Sequence, residues 1–171
     1  MAGQVARIVS GGQSGVDRAA LDWARTHDVP CGGWCPAGGW AEDLIEPPGL
    51  LTRYPTLRAT PSPDPAERTR WNVRDSDLTL VITAAPSPGT DLTVEIAREL
   101  GRPCVVIDGG EGVVPALRDA LTSLGATDGA TLNVAGPRAS EWATGYDTAW
   151  QSLDLLAMSG LVSIGHHRRR G

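Results

Sequence analysis

The sequence predicts an α/β domain, a mostly parallel sheet with helices on both faces. Three observations predict it. Short β-rich runs alternate with helical stretches along the whole chain. Two of the runs, LTLVI and VVI, are continuously apolar, as strands covered on both sides are. And 171 residues is the length of one ordinary domain, with enough core to stand alone. We read residues 1–171 as a single domain.

The elements follow in order. Val5–Ser10 reads as a strand closed by Gly11-Gly12, and Val16–Thr26 as a helix. Cys31–Cys35 reads as a short strand between Pro30 and Pro36, and the Pro- and Gly-rich stretch Ala37–Pro63 as one long loop. Asp64-Pro65-Ala66-Glu67 is a strong helix start, with Asp at the N-cap, Pro at the first helical position and Glu three after the cap. That helix runs to about Asp75. Leu78–Thr83 is a strand, Leu92–Leu100 a helix capped by Thr90 or Asp91, and Cys104–Ile107 a strand. Val113–Leu124 is a helix ended by Gly125, Thr131–Val134 a strand, and Tyr146–Met158 a closing helix. The tail, from about residue 162 and including His166-His167-Arg168-Arg169-Arg170, reads as disordered.

Composition narrows the function. Hydrophobic residues make up 41%, with six Trp and no Phe, so the core is mostly Val, Ile, Leu and Ala. All 15 bases are Arg, which removes Schiff-base chemistry and the lysine of a P-loop. A net charge of −5 argues against broad binding to nucleic acid or anionic membranes. Three cysteines are too few for a disulfide scaffold and suit a reducing compartment. The N-terminus lacks the pattern of a signal peptide, and no apolar run is long enough to span a bilayer, so the expectation is a cytoplasmic protein.

Ligands of parallel α/β sheets bind at the carboxyl ends of the strands, so the loops after the strands are the candidates. In the first, Gly11, Gly12 and Gly15 let the backbone turn sharply, and the following helix start offers free N–H groups to a phosphate. Gln13 and Ser14 belong to the same cradle. Ser14 and Asp17 also form an S-x-x-D pattern, a capping-box variant, while the helical wheel puts Asp17 on the buried arc; capping and ligand contact both stay open. The second loop, Pro86–Asp91, brings Gly89 and Thr90 to another helix start. Thr93 either faces the same mouth or bonds back to its own helix. Glu95 is a solvated helix residue or, in a hydrolase, the acid–base group. Arg68 and Asn72 share a stripe of the helix from Pro65, and Arg68 is the best guanidinium for an oxyanion unless it is spent in an ion pair. Gly136 and Arg138, after the last strand, complete the set. Trp34, Trp40 and Trp71 are candidates for stacking on a ring, or core residues. Glu42 and Asp43 read as solvated loop acids, with a divalent ion beside a phosphate as the alternative. The C-x3-C spacing of Cys31 and Cys35, without a nearby His, does not fit structural zinc, and no metal site is expected.

SGGQSGVDRAALD (10–22), GGWCP (32–36), AED (41–43), ERTRWNVRDSD (67–77), GTDLTVE (89–95) and LNVAGPR (132–138) together resemble the molybdenum-cofactor carrier family, in order and over about residues 6–157. The first loop is also similar to the signature of the DNA-processing protein A family. The glycine loop leading to Glu95 is similar in layout to the cytokinin-activating nucleoside-phosphate hydrolases. The resemblance implies a Rossmann-like three-layer fold, a phosphate-bearing ligand, the molybdenum cofactor as that ligand, and a homo-oligomer. Two departures stand out. Ala37-Gly38-Gly39 replaces the Lys or Arg that usually follows Cys-Pro, and the hydrolase spacing Pro-Gly-Gly-x-Gly-Thr-x-x-Glu is broken before Glu95. A carrier is therefore the favoured expectation. A nucleoside 5'-monophosphate N-glycosidic hydrolase and a nucleotide-sensing module are the alternatives.

Overall fold

The computed structural model describes residues 3–165. The elements are β1 (Gln4–Val9), α1 (Val16–Thr26), β2 (Cys31–Cys35), α2 (Leu50–Arg53), β3 (Leu57–Ala59), α3 (Pro65–Arg74), β4 (Leu78–Ile82), α4 (Pro88–Glu99), β5 (Cys104–Ile107), α5 (Val113–Ser123), β6 (Asp128–Ala135) and α6 (Gly145–Met158). The strands form one six-stranded sheet in the order β3-β2-β1-β6-β4-β5, and every strand pair in it is parallel. This is the α/β Rossmann-like architecture.

Local chemistry sets the strongest boundaries. Asp64 accepts the N–H of Ala66 at 2.9 Å and Pro65 takes the first helical position, so α3 starts where its cap says. Helix α4 starts a turn before the expected Leu92. Ser87, not Thr90 or Asp91, is its cap, accepting the Thr90 N–H, with Pro88 again in the first turn.

Right-handed crossovers decide which face each helix covers. The chain runs outward from β1 to β2 to β3, crosses to β4, continues to β5, and returns to insert β6 between β1 and β4. Helices α1, α5 and α6 therefore share one face, where α6 packs on both α1 and α5, and α3 packs against α4 on the other. The main core lies under the first group, around Val5, Ile8, Trp23, Leu80, Leu117, Leu132 and Leu153, all fully buried. Counting β6 as the first strand turns the order into 4-3-2-1-5-6, a Rossmann-type order cut and rejoined.

Three expectations change. The segment 37–63 is not one loop: it carries α2 and β3, and β3 pairs with β2 through Gly33–Leu57, Trp34–Arg58 and Cys35–Ala59. Its apolar residues Ala41, Leu50, Tyr54 and Leu57 close a second core cluster with Leu21 and Cys35. Strand β5 is not covered on both sides. It is the sheet's edge, and Val106 is 52% exposed. At the far end, Val162 is buried and bridges to Val5, and the Ser163 N–H donates to the Val5 carbonyl, so 162–165 pack on the body. The predicted tail residues 166–171 lie outside the described residues.

Candidate functional site

The loops after β6 and β4 leave toward opposite faces of the sheet. Neighbouring strands with that property open a crevice at their carboxyl ends. A cleft of about 90 Å³ lies there. Gln13 and Asp17 reach it from the first loop and α1, Arg68 and Thr69 from α3, and Ser87, Gly89, Thr90 and Thr93 from the start of α4. Gly136, Arg138 and Glu141 close it from the loop after β6. Trp40 forms part of its rim and, with Pro65, continues into an apolar shelf of about 440 Å³ that also includes Ile45, Pro47 and Pro63.

Arg68 and Asp17 stand at the centre. Arg68 Nη1 lies 3.3 Å from Asp17 Oδ2, and the two side chains are 15% and 5% exposed. The pairing is across 51 residues, so the ion pair allowed for from sequence exists, but it is a buried one between distant residues. Burial pushes the Asp17 carboxyl up. The Arg68 charge and the backbone N–H groups of Gly136 and Gln13 pull it back only in part. Asp17 does not cap α1, whose N-cap is Gly15 without a side-chain bond. Gly11 makes room for the arginine: a Cβ there would stand 1.8 Å from Arg68 Nη1.

Among the described residues, three buried side-chain polar atoms lack a hydrogen-bond partner: Arg68 Nε, Thr90 Oγ1 and Glu141 Oε2. All three residues line this cleft. An unmet buried polar atom costs about 1–3 kcal/mol, so three around one cavity make this cleft the candidate site.

The remaining predicted site residues divide. Gly89 faces open space, and a Cβ added there would meet nothing within 4 Å. Thr93 lines the cleft, but its hydroxyl bonds back to the Gly89 carbonyl at 3.0 Å. Gly11 and Asn72 line a smaller adjoining void. Both polar atoms of the Asn72 amide are spent on the Trp34 backbone, at 2.8 and 2.9 Å. Gly12, Ser14 and Gly15 do not line the cleft. The space before Gly12 is filled by Leu50 and Leu57, that before Gly15 by the Pro137 carbonyl, and the Ser14 hydroxyl donates to Glu42. The start of α1 is thus covered by protein, while that of α4 opens on the cleft. Glu95 is exposed on α4, outside the cleft. Trp34 and Trp71 pack edge to face, 4.7 Å apart, and are not among the lining residues; only Trp40 of the three reaches the site.

Asp43 is solvent-exposed as expected and Glu42 is half-buried, but both are engaged in specific bonds. Asp43 takes a bidentate bond from Arg18, 2.8 Å to each oxygen. Glu42 accepts from Ser14, from the Ser140 hydroxyl at 2.6 Å and from the Ser140 N–H at 3.1 Å. These two acids tie the segment after β2 to the first and last loops. Only their adjacency to a Gly-rich turn hinted at this. Among the described residues no group of three or more His, Cys, Asp or Glu is placed to hold a metal ion.

The rejoined strand order has a counterpart among known proteins: the model of the circularly permutated YpsA SLOG family matches residues 8–157. The chain belongs to that family. The crystal structure of a "Putative molybdenum carrier protein" from Syntrophus aciditrophicus SB superposes with a TM-score of 0.80 at 35% identity, covering 91% of this chain and 96% of that one. The chain is also 32% identical over 96 residues to 4-hydroxy-3-methylbut-2-enyl diphosphate reductase 2 of Mycobacterium bovis and reductase 1 of Mycobacterium tuberculosis. The match takes in 52% of this chain and 29% of each reductase, so it spans under a third of those relatives' length. Family and fold support a ligand-binding role. No helix among the described residues is long and apolar enough to cross a membrane.

Proposed function

We propose that this protein binds a small phosphate-bearing ligand in the switch-point cleft, and that it carries the molybdenum cofactor. The observation that carries the reading is the cleft's set of unmet polar atoms around the Arg68 guanidinium. Arg68 offers a donor still free at Nε, Thr90 a hydroxyl, and α4 the positive end of its dipole. A volume of about 90 Å³ is roughly that of three waters, room for a phosphate but not for a ring system. The shelf beyond Trp40 supplies the missing space with apolar walls. The residues present therefore fit the molybdenum cofactor, a pterin with one phosphate. Arg68, Thr90 and the start of α4 would hold the phosphate and Trp40 the pterin; the bound cofactor would supply the redox-active metal to a later acceptor. The likeness to the "Putative molybdenum carrier protein" of Syntrophus aciditrophicus SB supports a molybdenum-bearing ligand.

Two further parts belong to this proposal: the protein works in the cytoplasm, apart from nucleic acid and membrane, and it does so as a homo-oligomer. Light scattering that returns the mass of one chain refutes the oligomer.

The test of the ligand is calorimetry with inorganic phosphate and a pterin phosphate at one fixed salt concentration. Arg68→Ala should cost roughly 1.5–3 kcal/mol of binding, the range for a charge-assisted hydrogen bond. Arg68→Lys should restore only part, because an ammonium lacks the planar fork. Equal binding by all three proteins removes the cleft from the reading. Native mass spectrometry of freshly purified protein identifies any ligand it retains.

A further inference from the structure

Glu141 is out of place in a pure anion site. It lines the cleft, and its Oε1 accepts from Arg138 Nε at 2.7 Å, which fixes the carboxylate. Oε2 is buried and has no donor. Arg138 binds Glu141 through Oε1 alone, and its Nη1 lies toward Glu42 Oε2, 3.9 Å away. The other acid lining the cleft, Asp17, is held by Arg68 and the backbone; Glu42, outside the lining, is held by Ser14 and Ser140.

A carboxylate oxygen only accepts. An ionised phosphate oxygen offers it nothing and repels it, and a residual P–OH is common to every phosphate ester and gives no preference among them. What satisfies Oε2 is an N–H or O–H group of the guest. We propose that Glu141 is a specificity-determining residue: the ligand's organic part carries a hydrogen-bond donor that Glu141 Oε2 reads while Arg68 and Thr90 take the anion. This rests on the proposed anion site and narrows its ligand to a phosphate ester with a polar N–H or O–H near the phosphate. A site built to hydrogen-bond such a group discriminates strongly against analogues that lack it, because its own buried atom is then left unpaired.

Two sources of the donor are chemically equivalent here, a sugar hydroxyl and a ring N–H. The experiment separates them. Binding is measured with inorganic phosphate, methyl phosphate, ribose 5-phosphate and a pterin phosphate, to wild type and to Glu141→Gln. The glutamine keeps an oxygen for Arg138 and turns Oε2 into a donor. In wild type, one of the two donor-bearing esters should bind at least about tenfold tighter than methyl phosphate, and which one names the source. Glu141→Gln should erase that preference while inorganic phosphate still binds, and no more weakly than to wild type, because a negative charge has left the cleft. Circular dichroism and the retained phosphate affinity show that the variant is folded. A preference that survives Glu141→Gln, or donor-bearing esters no tighter than methyl phosphate, overturns the proposal. If wild type ignores inorganic phosphate, the anion site falls; neutral ribose and a neutral pterin are then tried. Glu141-dependent binding of either keeps the donor reading alone, and no binding ends both.

Discussion

Two regions around the first loop use the same side chains to opposite ends. In the clamp, Arg18, Ser14 and Glu42 are saturated: Arg18 holds Asp43 with two bonds and the Gly12 carbonyl with a third, and Glu42 collects Ser14 and both polar groups of Ser140. In the cleft, their counterparts Arg68, Thr90 and Glu141 each keep an atom unmet. Residue type does not separate structure from site here. Saturation does, because a fold gains by satisfying buried polar atoms and a binding site keeps them waiting.

The contrast yields variants with opposite signs. The largest effect belongs to Arg18→Ala. Its side chain is 6% exposed, and its loss leaves the buried Gly12 carbonyl unmet and removes two bonds to Asp43, whose carboxylate is 45% exposed and returns to water. The expected cost is about 2–3 kcal/mol, or roughly 4–12 °C in Tm for a chain this size, read by thermal unfolding. A change under ~1 kcal/mol would mean that the clamp is ornamental.

Gly11→Ala comes next and acts on the other region. The new Cβ displaces the end of the Arg68 side chain rather than backbone. Binding of phosphate should fall about as far as in Arg68→Ala, and Tm should fall as well, because buried Asp17 loses part of its hold from Arg68. A variant that binds like wild type would show that the Arg68 position is not what matters.

The pH dependence separates the regions by sign. Burial raises the Glu42 carboxyl, but the bonds from Ser14 and Ser140 outweigh it and hold it below its usual value; the Arg18 bonds do the same for Asp43. A depressed carboxyl contributes stability above its unfolded pKa, 4.5 for Glu42 and 3.8 for Asp43, and loses it as pH falls through the folded value. Asp17, raised by burial, works the other way: protonation relieves it, and its contribution weakens as pH rises through the folded value. Stability below about pH 4 should therefore decline less steeply in Glu42→Gln than in wild type. Identical acid slopes in urea titrations would discard the assignment.

The smallest and most diagnostic effect is Thr90→Val. It trades an unpartnered hydroxyl for a methyl of the same shape, so the empty protein should be as stable or slightly more stable, by under ~1 kcal/mol. Phosphate binding should weaken. Lost stability would mean that the hydroxyl has a partner in solution and is no site marker.

What the sequence determined by itself is local. The cap at Asp64-Pro65 fixed the start of α3, the wheel put Asp17 on the buried side of α1, and the back-bond of Thr93 is the ordinary fate of a threonine inside a helix. Each depends on residues within a few turns of one another. The motif order carried the family, because it spans most of the chain. The tertiary structure decided whatever depends on distant partners. Strand β3 is three residues long and exists because β2 offers it an edge, so no pattern in LRA announces it. VVI reads as a covered strand, yet it lies at the sheet's edge, since an apolar run does not record how many neighbours it has. The glycines of the first loop allow close approach of anything. Leu50, Leu57 and Pro137 came to Gly12 and Gly15 from far along the chain, and Arg68 came to Gly11, leaving the start of α4 as the open one. Conformational freedom is written into a glycine; what fills the space before it is set only when the chain closes on itself.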